Sequence, residues 1–189
     1  MRVILASVVL LVFAANAAGQ QVSTQRIYNP TADGRAQIAN ALKLAKEDGI
    51  RVLVSFGAND HEGSAAFDDA RRAREVSRFF STEYKLVHVD VGRLDKNLDL
   101  AKTYGITLSD AALPMLAVLD GDGKVLARTS ASVFRSAGEP AVFDRARIAA
   151  FLTTHQAPAP PDAEPTLQKA LQQAKAEGKS LFVWFSAPW

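Results

Sequence analysis

The sequence predicts an α/β domain, a central mixed sheet flanked by helices, followed by an incomplete second copy of its opening. Three observations carry this. Segments with helical apolar spacing alternate with short β-branched runs. An Asp-Gly-Asp-Gly turn joins the last two of those runs. The first helix and strand then recur near residue 189.

Composition sets the outer limits. The 189 residues carry 22 Lys+Arg against 20 Asp+Glu, a formal charge of +2, with 48% apolar and 22% charged residues. That is globular composition, and so even a charge balance leaves no footprint for nucleic acid. There is no Cys, which excludes disulfides, thiolate zinc sites, iron–sulfur clusters and a cysteine nucleophile within these residues. No cofactor is implied.

Met1-Arg2 is a short basic start, Val3 to Ala15 is apolar, and Ala15-Asn16-Ala17 has the small-x-small form of a cleavage site. An apolar run of about 13 residues suits a leader and falls short of the roughly 20 that cross a bilayer. Residues 1–17 are therefore expected to be a signal peptide, and the mature chain to be periplasmic or secreted with no membrane attachment. Export normally permits disulfides, so a chain without Cys is unusual for its compartment.

Each element follows from its own pattern. Asp33 to Asp48 reads as a helix, with Ile38, Ala41, Leu42 and Ala45 on one face and Gly49 as its stop. Ile50 to Phe56 is too continuously apolar for a one-sided strand and predicts a central one. After a polar loop over Gly57 to Gly63, Ser64 to Phe80 returns to helical spacing through Phe67, Ala70, Ala73, Val76 and Phe80. Arg71, Arg72, Arg74 and Arg78 lie mostly off that stripe and are expected on a solvated face.

Lys85 to Val91 predicts a second buried strand, Asp95 to Tyr104 a short helix, and Met115 to Leu119 a third strand. Asp120 to Gly123 is a tight turn leading into a hairpin partner over Lys124 to Ala127. Asp144 to Thr154 is the last helix, with Ile148, Phe151 and Leu152 inward. Strands separated by helices imply parallel crossovers, and the hairpin adds an antiparallel edge.

Ala157-Pro158-Ala159-Pro160-Pro161 then reads as an extended linker. Beyond it, an offset of 129 aligns residues 38–60 with 167–189. Ala41, Leu42, Ala45, Lys46, Gly49, Val54, Phe56 and Ala58 meet the same residue types at 170, 171, 174, 175, 178, 183, 185 and 187. The expected organisation is a signal peptide (1–17), a domain (26–154), a linker (155–164) and the start of a second domain (165–189). Leu181 to Phe185 is expected to be that copy's strand, packed on the first domain or poorly ordered, and its unbroken apolar run is an aggregation liability.

Val54-Ser55-Phe56-Gly57-Ala58-Asn59, Leu113-Pro114-Met115 and Ser186-Ala187-Pro188-Trp189 together resemble the thioredoxin family. The first is similar to the strand exit of exported thioredoxin-like proteins, where Trp-Cys-x-x-Cys follows. Here Asp60-His61-Glu62-Gly63-Ser64 stands instead, with His61 and Ser64 at the cysteine positions. The second matches the family's cis-proline facing the active site. The third looks like the lead-in to a second Cys-x-x-Cys. The resemblance covers roughly residues 26–154 and the repeat from 165, and it implies the thioredoxin-like fold.

The resemblance also implies thiol–disulfide exchange, with peptide bound by strand addition beside Pro114. Its binding positions would be Asp60, His61, Leu113 and Pro114. The exchange needs a thiolate at a helix N-terminus and a second Cys to resolve the mixed disulfide. Neither His61 nor Ser64 supplies one, so no catalytic residue is assigned.

Ser64 is expected as a helix N-cap. His61 lacks the nucleophile and orienting group that a general base serves. Asp60, His61 and Glu62 are consecutive and rarely converge on one ion, so no metal site is expected. His88, in a strand, and His155, near a helix end, have no identifiable partner.

The expected function is an exported, redox-inactive thioredoxin-like module that binds polypeptide or a partner protein. The alternative is a truncated thiol–disulfide oxidoreductase, either a fragment or a selenocysteine protein cut at an in-frame UGA after Trp189.

Overall fold

The computed structural model describes residues 26–139, 142–159 and 162–184. The expected signal peptide, Pro160 and Pro161 of the linker, and Phe185 to Trp189 lie outside the described residues. No described helix is long and apolar enough to cross a membrane.

Helix α1 (Gly34–Asp48) starts where the Asp33 carboxylate accepts the N–H groups of Arg35 and Ala36, and stops at Gly49, which takes the left-handed conformation at φ 69°. Strand β1 (Arg51–Gly57) is buried from Val52 onward. It pairs with β2 (Tyr84–Asp90) in parallel and with β3 (Met115–Leu119) antiparallel, and β3 pairs antiparallel with β4 (Val125–Ser130). The sheet order is β2-β1-β3-β4.

Alternation along β1 builds the two layers. Val52, Val54 and Phe56 face a cluster with Ile38, Ala41 and Ala45 of α1 and with Leu100 and Ala101 of α4 (Leu98–Thr103). Leu53 faces the other cluster. Its partners there are Phe67 and Ala70 of α2 (Glu62–Arg72), Val76 and Phe79 of α3 (Arg74–Thr82), and Ile148 and Leu152 of α5 (Arg145–His155). The Tyr84 hydroxyl donates to the Leu152 carbonyl at 2.7 Å and ties α5 to β2.

Several expectations are corrected. The helix expected over Ser64 to Phe80 is two helices, broken where Ala73 is extended (φ −62°, ψ 144°). A stripe advancing three residues at a time falls about 60° behind a straight helix at each step. The break resets the face, so Phe79 is buried instead of Phe80.

The third strand was expected to be parallel and is antiparallel to β1. Helix α4 has six residues, about 9 Å of rise against about 23 Å for a seven-residue strand, so it does not return the chain to the far end of the sheet. As a result β3 enters beside the exit of β1, with Met115 opposite Phe56.

Helix α6 (Ala163–Glu177) is capped by Asp162 and Gly178, and none of its residues is buried. Leu181 to Phe185 were expected as a strand, packed on the first domain or poorly ordered; the described part, Leu181 to Trp184, forms no strand and is exposed. No described strand lies beside them to pair with their backbone.

Candidate functional site

The antiparallel entry of β3 brings the loop between β1 and α2 against the Leu113–Pro114 peptide, which is cis. The approach is close at Gly63: a Cβ there would lie 2.5 Å from the Leu113 carbonyl oxygen. Leu113 and Pro114 are both buried. The Leu113 N–H already donates to the Asp110 carbonyl at 3.2 Å, within the 3₁₀ turn Asp110–Ala112. What these residues offer a ligand is therefore the rim around them.

Helix α2 begins two residues earlier than expected, and its N-cap is His61 rather than Ser64. The His61 backbone is extended (φ −101°, ψ 122°), and Nδ1 accepts the Ser64 N–H at 3.4 Å. That bond makes Nδ1 an acceptor and leaves the ring proton on Nε2, which lies 3.9 Å from the Asp110 carboxylate. Ser64 points the other way. It is fully buried, and its hydroxyl accepts the Ala58 N–H at 3.3 Å. The two positions matched to the family's cysteines thus face opposite environments, one on the rim and one in the interior.

Beneath the loop lies a polar group that periodicity did not disclose. Tyr28 is buried, and its hydroxyl bonds the Ser55 hydroxyl at 2.9 Å. Burial pushes the Tyr28 phenol up to about 12. Its backbone N–H donates to Asn59 Oδ1 at 3.0 Å, while Asn59 Nδ2 donates back to the Tyr28 carbonyl at 2.7 Å. A Cβ on Gly57 would collide with Tyr28 Oη and Ser64 Oγ, so any larger residue there would have to displace these buried side chains.

His88, which had no partner in sequence, stands with its ring 5.1 Å from that of Tyr28. Burial, helped by the charge of Arg71, lowers its imidazole to about 4, so it is neutral at ordinary pH. Its Nδ1 has no hydrogen-bond partner among the described residues. His155 rests against Phe151 at 4.8 Å between ring centroids.

Arg71 and Arg72 are not merely a solvated face. Arg71 Nε and Arg72 donate to the two oxygens of the buried Asp68 carboxylate, each at 2.6 Å.

On the rim, Ala58, Asp60, His61, Gly92, Arg93, Leu94, Asp110 and Leu113 line a cleft of about 490 Å³, a volume within the range of small-ligand sites. Asp60 and Arg93 are exposed there. Among the described residues no three His, Asp or Glu side chains are placed to hold a metal ion, and Asp60, His61 and Glu62 do not converge. The site can hold hydrogen-bonding and charged groups at its rim, but it has no thiol to exchange.

No protein-family model matches the chain, and no curated protein does. Among solved structures, the chain is similar to a disulphide isomerase from Xylella fastidiosa Temecula1. The match has 28% identity and a TM-score of 0.57, and covers 68% of this chain and 95% of that one. It also matches the Fasciola hepatica thioredoxin (22% identity, TM-score 0.40, covering 62% and 93%) and a Thermus thermophilus thioredoxin (19%, 0.41, 61% and 81%). The four-stranded mixed sheet between helices is a thioredoxin-like fold.

Proposed function

We propose that this thioredoxin-fold chain is an exported, non-catalytic module that binds polypeptide in the cleft beside His61 and Leu113. One observation carries the reading: the loop before α2 lies against the cis Leu113–Pro114 peptide, while the two positions matched to the family's cysteines are held by residues with structural duties. His61 caps α2 and Ser64 is buried. Thiol–disulfide exchange requires a thiolate, and the chain has none.

Because the Leu113 N–H is already engaged, recognition would rely on Asp60, His61, Arg93 and Asp110 more than on strand addition. Residues 1–17 would direct export to the periplasm or the exterior, and N-terminal sequencing of the exported product should then start at Ala18.

The test is fluorescence anisotropy of a labelled unstructured polypeptide. Saturable binding weakened by Asp110→Lys and by Arg93→Glu is expected. No saturation, or reduction of insulin by the purified chain, would refute the proposal.

A second reading is favoured by the offset of 129 between residues 38–60 and 167–189, and by the likeness to a disulphide isomerase. In it these residues belong to a thiol–disulfide oxidoreductase whose nucleophile lies in the second copy, as Cys or selenocysteine. The nucleotides after the Trp189 codon decide: a thioredoxin-like reading frame supports it, and its absence rejects it.

A further inference from the structure

The loop that follows β2 supplies Gly92, Arg93 and Leu94 to the cleft. It enters the left-handed region three times, at Gly92 (φ 55°), Leu94 (φ 62°) and Asn97 (φ 53°). Glycine and asparagine suit that region, whereas the Cβ of leucine crowds its own backbone there. Leu94 is kept in this conformation because the loop is fastened around it. The Val91 carbonyl accepts the N–H groups of Asp95 and Lys96 at 3.2 and 3.3 Å, and the Asp95 carboxylate accepts the Arg93 N–H at 2.9 Å. Underneath, Asn97 Nδ2 donates to the Asp90 carbonyl at 2.8 Å. Lys96 Nζ donates at 3.3 Å to the buried Asp90 carboxylate and, equally, to the Pro30 carbonyl.

A bulky residue held in a disfavoured conformation beside a cleft points to a need for that side chain. Ala58 and Leu113, the other apolar side chains of the lining, are buried. Leu94 is half-buried, resting on the cluster around α1, and is the apolar side chain that the cleft presents.

We propose that Leu94 sets the specificity of the cleft, seating an aliphatic side chain of the bound polypeptide that stands between an acidic and a basic neighbour. The inference rests on the reading of the cleft as a polypeptide site and names the segment it selects.

The charges around Leu94 supply the two neighbours. The sheet order β2-β1-β3 places them in sequence across the mouth: Arg93 follows β2, Asp60 follows β1, and Asp110 precedes β3. Among the described residues, the one ion-pair partner that any of the three has is His61, 3.9 Å from Asp110. A carboxylate of the ligand therefore meets Arg93 at one end, and a cation meets Asp60 and Asp110 towards the other. The aliphatic side chain between them covers Leu94, and the fastened loop spares the ligand the cost of ordering it.

The experiment is fluorescence anisotropy of the full chain with three labelled peptides, each a Gly/Ser chain around a central Glu-Leu-Lys, Glu-Ser-Lys or Gln-Leu-Gln. The wild type is expected to bind Glu-Leu-Lys at least about 10-fold more tightly than Glu-Ser-Lys, the worth of one aliphatic side chain taken out of water. It should bind Gln-Leu-Gln about threefold more weakly than Glu-Leu-Lys, as suits exposed charge pairs. In Leu94→Asn, whose new residue tolerates the left-handed turn, the preference for leucine over serine should shrink to about twofold or less. Leu94→Met should restore it.

A residue that only packs on the core would change stability and leave the ratio of the two affinities as it is in the wild type, and that result overturns the proposal. Equal wild-type affinity for the leucine and serine peptides overturns it without any variant, as does equal affinity for the charged and uncharged ones. In these cases saturable binding still stands, and the cleft remains a polypeptide site. Absence of saturation with all three peptides overturns both readings together.

Discussion

His61 Nδ1 accepts the backbone N–H of Ser64 at 3.4 Å, so the two positions matched to a redox pair are joined by a helix cap. The cap fixes which ring nitrogen holds the proton and directs Nε2 towards Asp110. A side chain in that role is committed to the geometry of the loop. Removing the acceptor exposes this: His61→Ala should lower stability by about 0.5–2 kcal/mol, and His61→Asn should recover most of it. Urea unfolding of the three proteins measures the effect.

His88 predicts an acid limb. The unfolded imidazole takes its proton near 6.5, whereas burial and Arg71 delay protonation in the fold to about 4. Between these values the unfolded chain binds more protons, so stability is complete above about pH 6.5 and falls as pH drops towards 4. The loss at the acid end should be about 2–3 kcal/mol. Unfolding midpoints from pH 7 to 4 should fall less steeply in His88→Leu than in the wild type, and parallel slopes would count against this assignment.

The opposed environments of His61 and Ser64 predict opposed thiols. In His61→Cys the sulfur sits at the start of α2, where unpaired N–H groups and the helix dipole favour a thiolate. In Ser64→Cys the sulfur enters a fully buried site. Modification by a chromogenic disulfide reagent near pH 6 should be at least about 10-fold faster for His61→Cys, and comparable rates would mean that the loop does not hold these positions apart.

Gly63 predicts a steric effect at the cleft. A Cβ 2.5 Å from the Leu113 carbonyl meets backbone, not a side chain that can swing away. Gly63→Ala should cost about 1–3 kcal/mol by overpacking and should weaken polypeptide binding by displacing His61. Thermal melts and anisotropy on the same preparation test both halves.

Local pattern made much of this molecule legible. The apolar spacing and Gly49 marked α1, with either Thr31 or Asp33 able to cap its start, the β-branched run after Gly49 predicted a central strand, and Asp120 to Gly123 predicted the hairpin turn. Other features rest on relations between distant residues. Tyr28 reaches Ser55 and Asn59 across separations of 27 and 31 residues, which no periodicity encodes. Ser64 carries the usual N-cap residue type, but a histidine Nδ1 three residues earlier accepts its N–H at 3.4 Å, and the serine is buried. Helical spacing ran through Ala73, yet tertiary packing favoured a break there. The direction of β3 depended on how far α4 carries the chain, and composition does not record this.

The hairpin turn has a practical consequence. Because Met115 pairs beside the exit of β1, the other end of β3 leads away from the cleft to Asp120–Lys124, where Lys46 of α1 binds Asp122 at 2.7 Å. A dye or affinity tag attached at Asp122 therefore sits at the pole remote from His61. The molecule can be immobilised or made fluorescent there while the surface that meets polypeptide stays untouched.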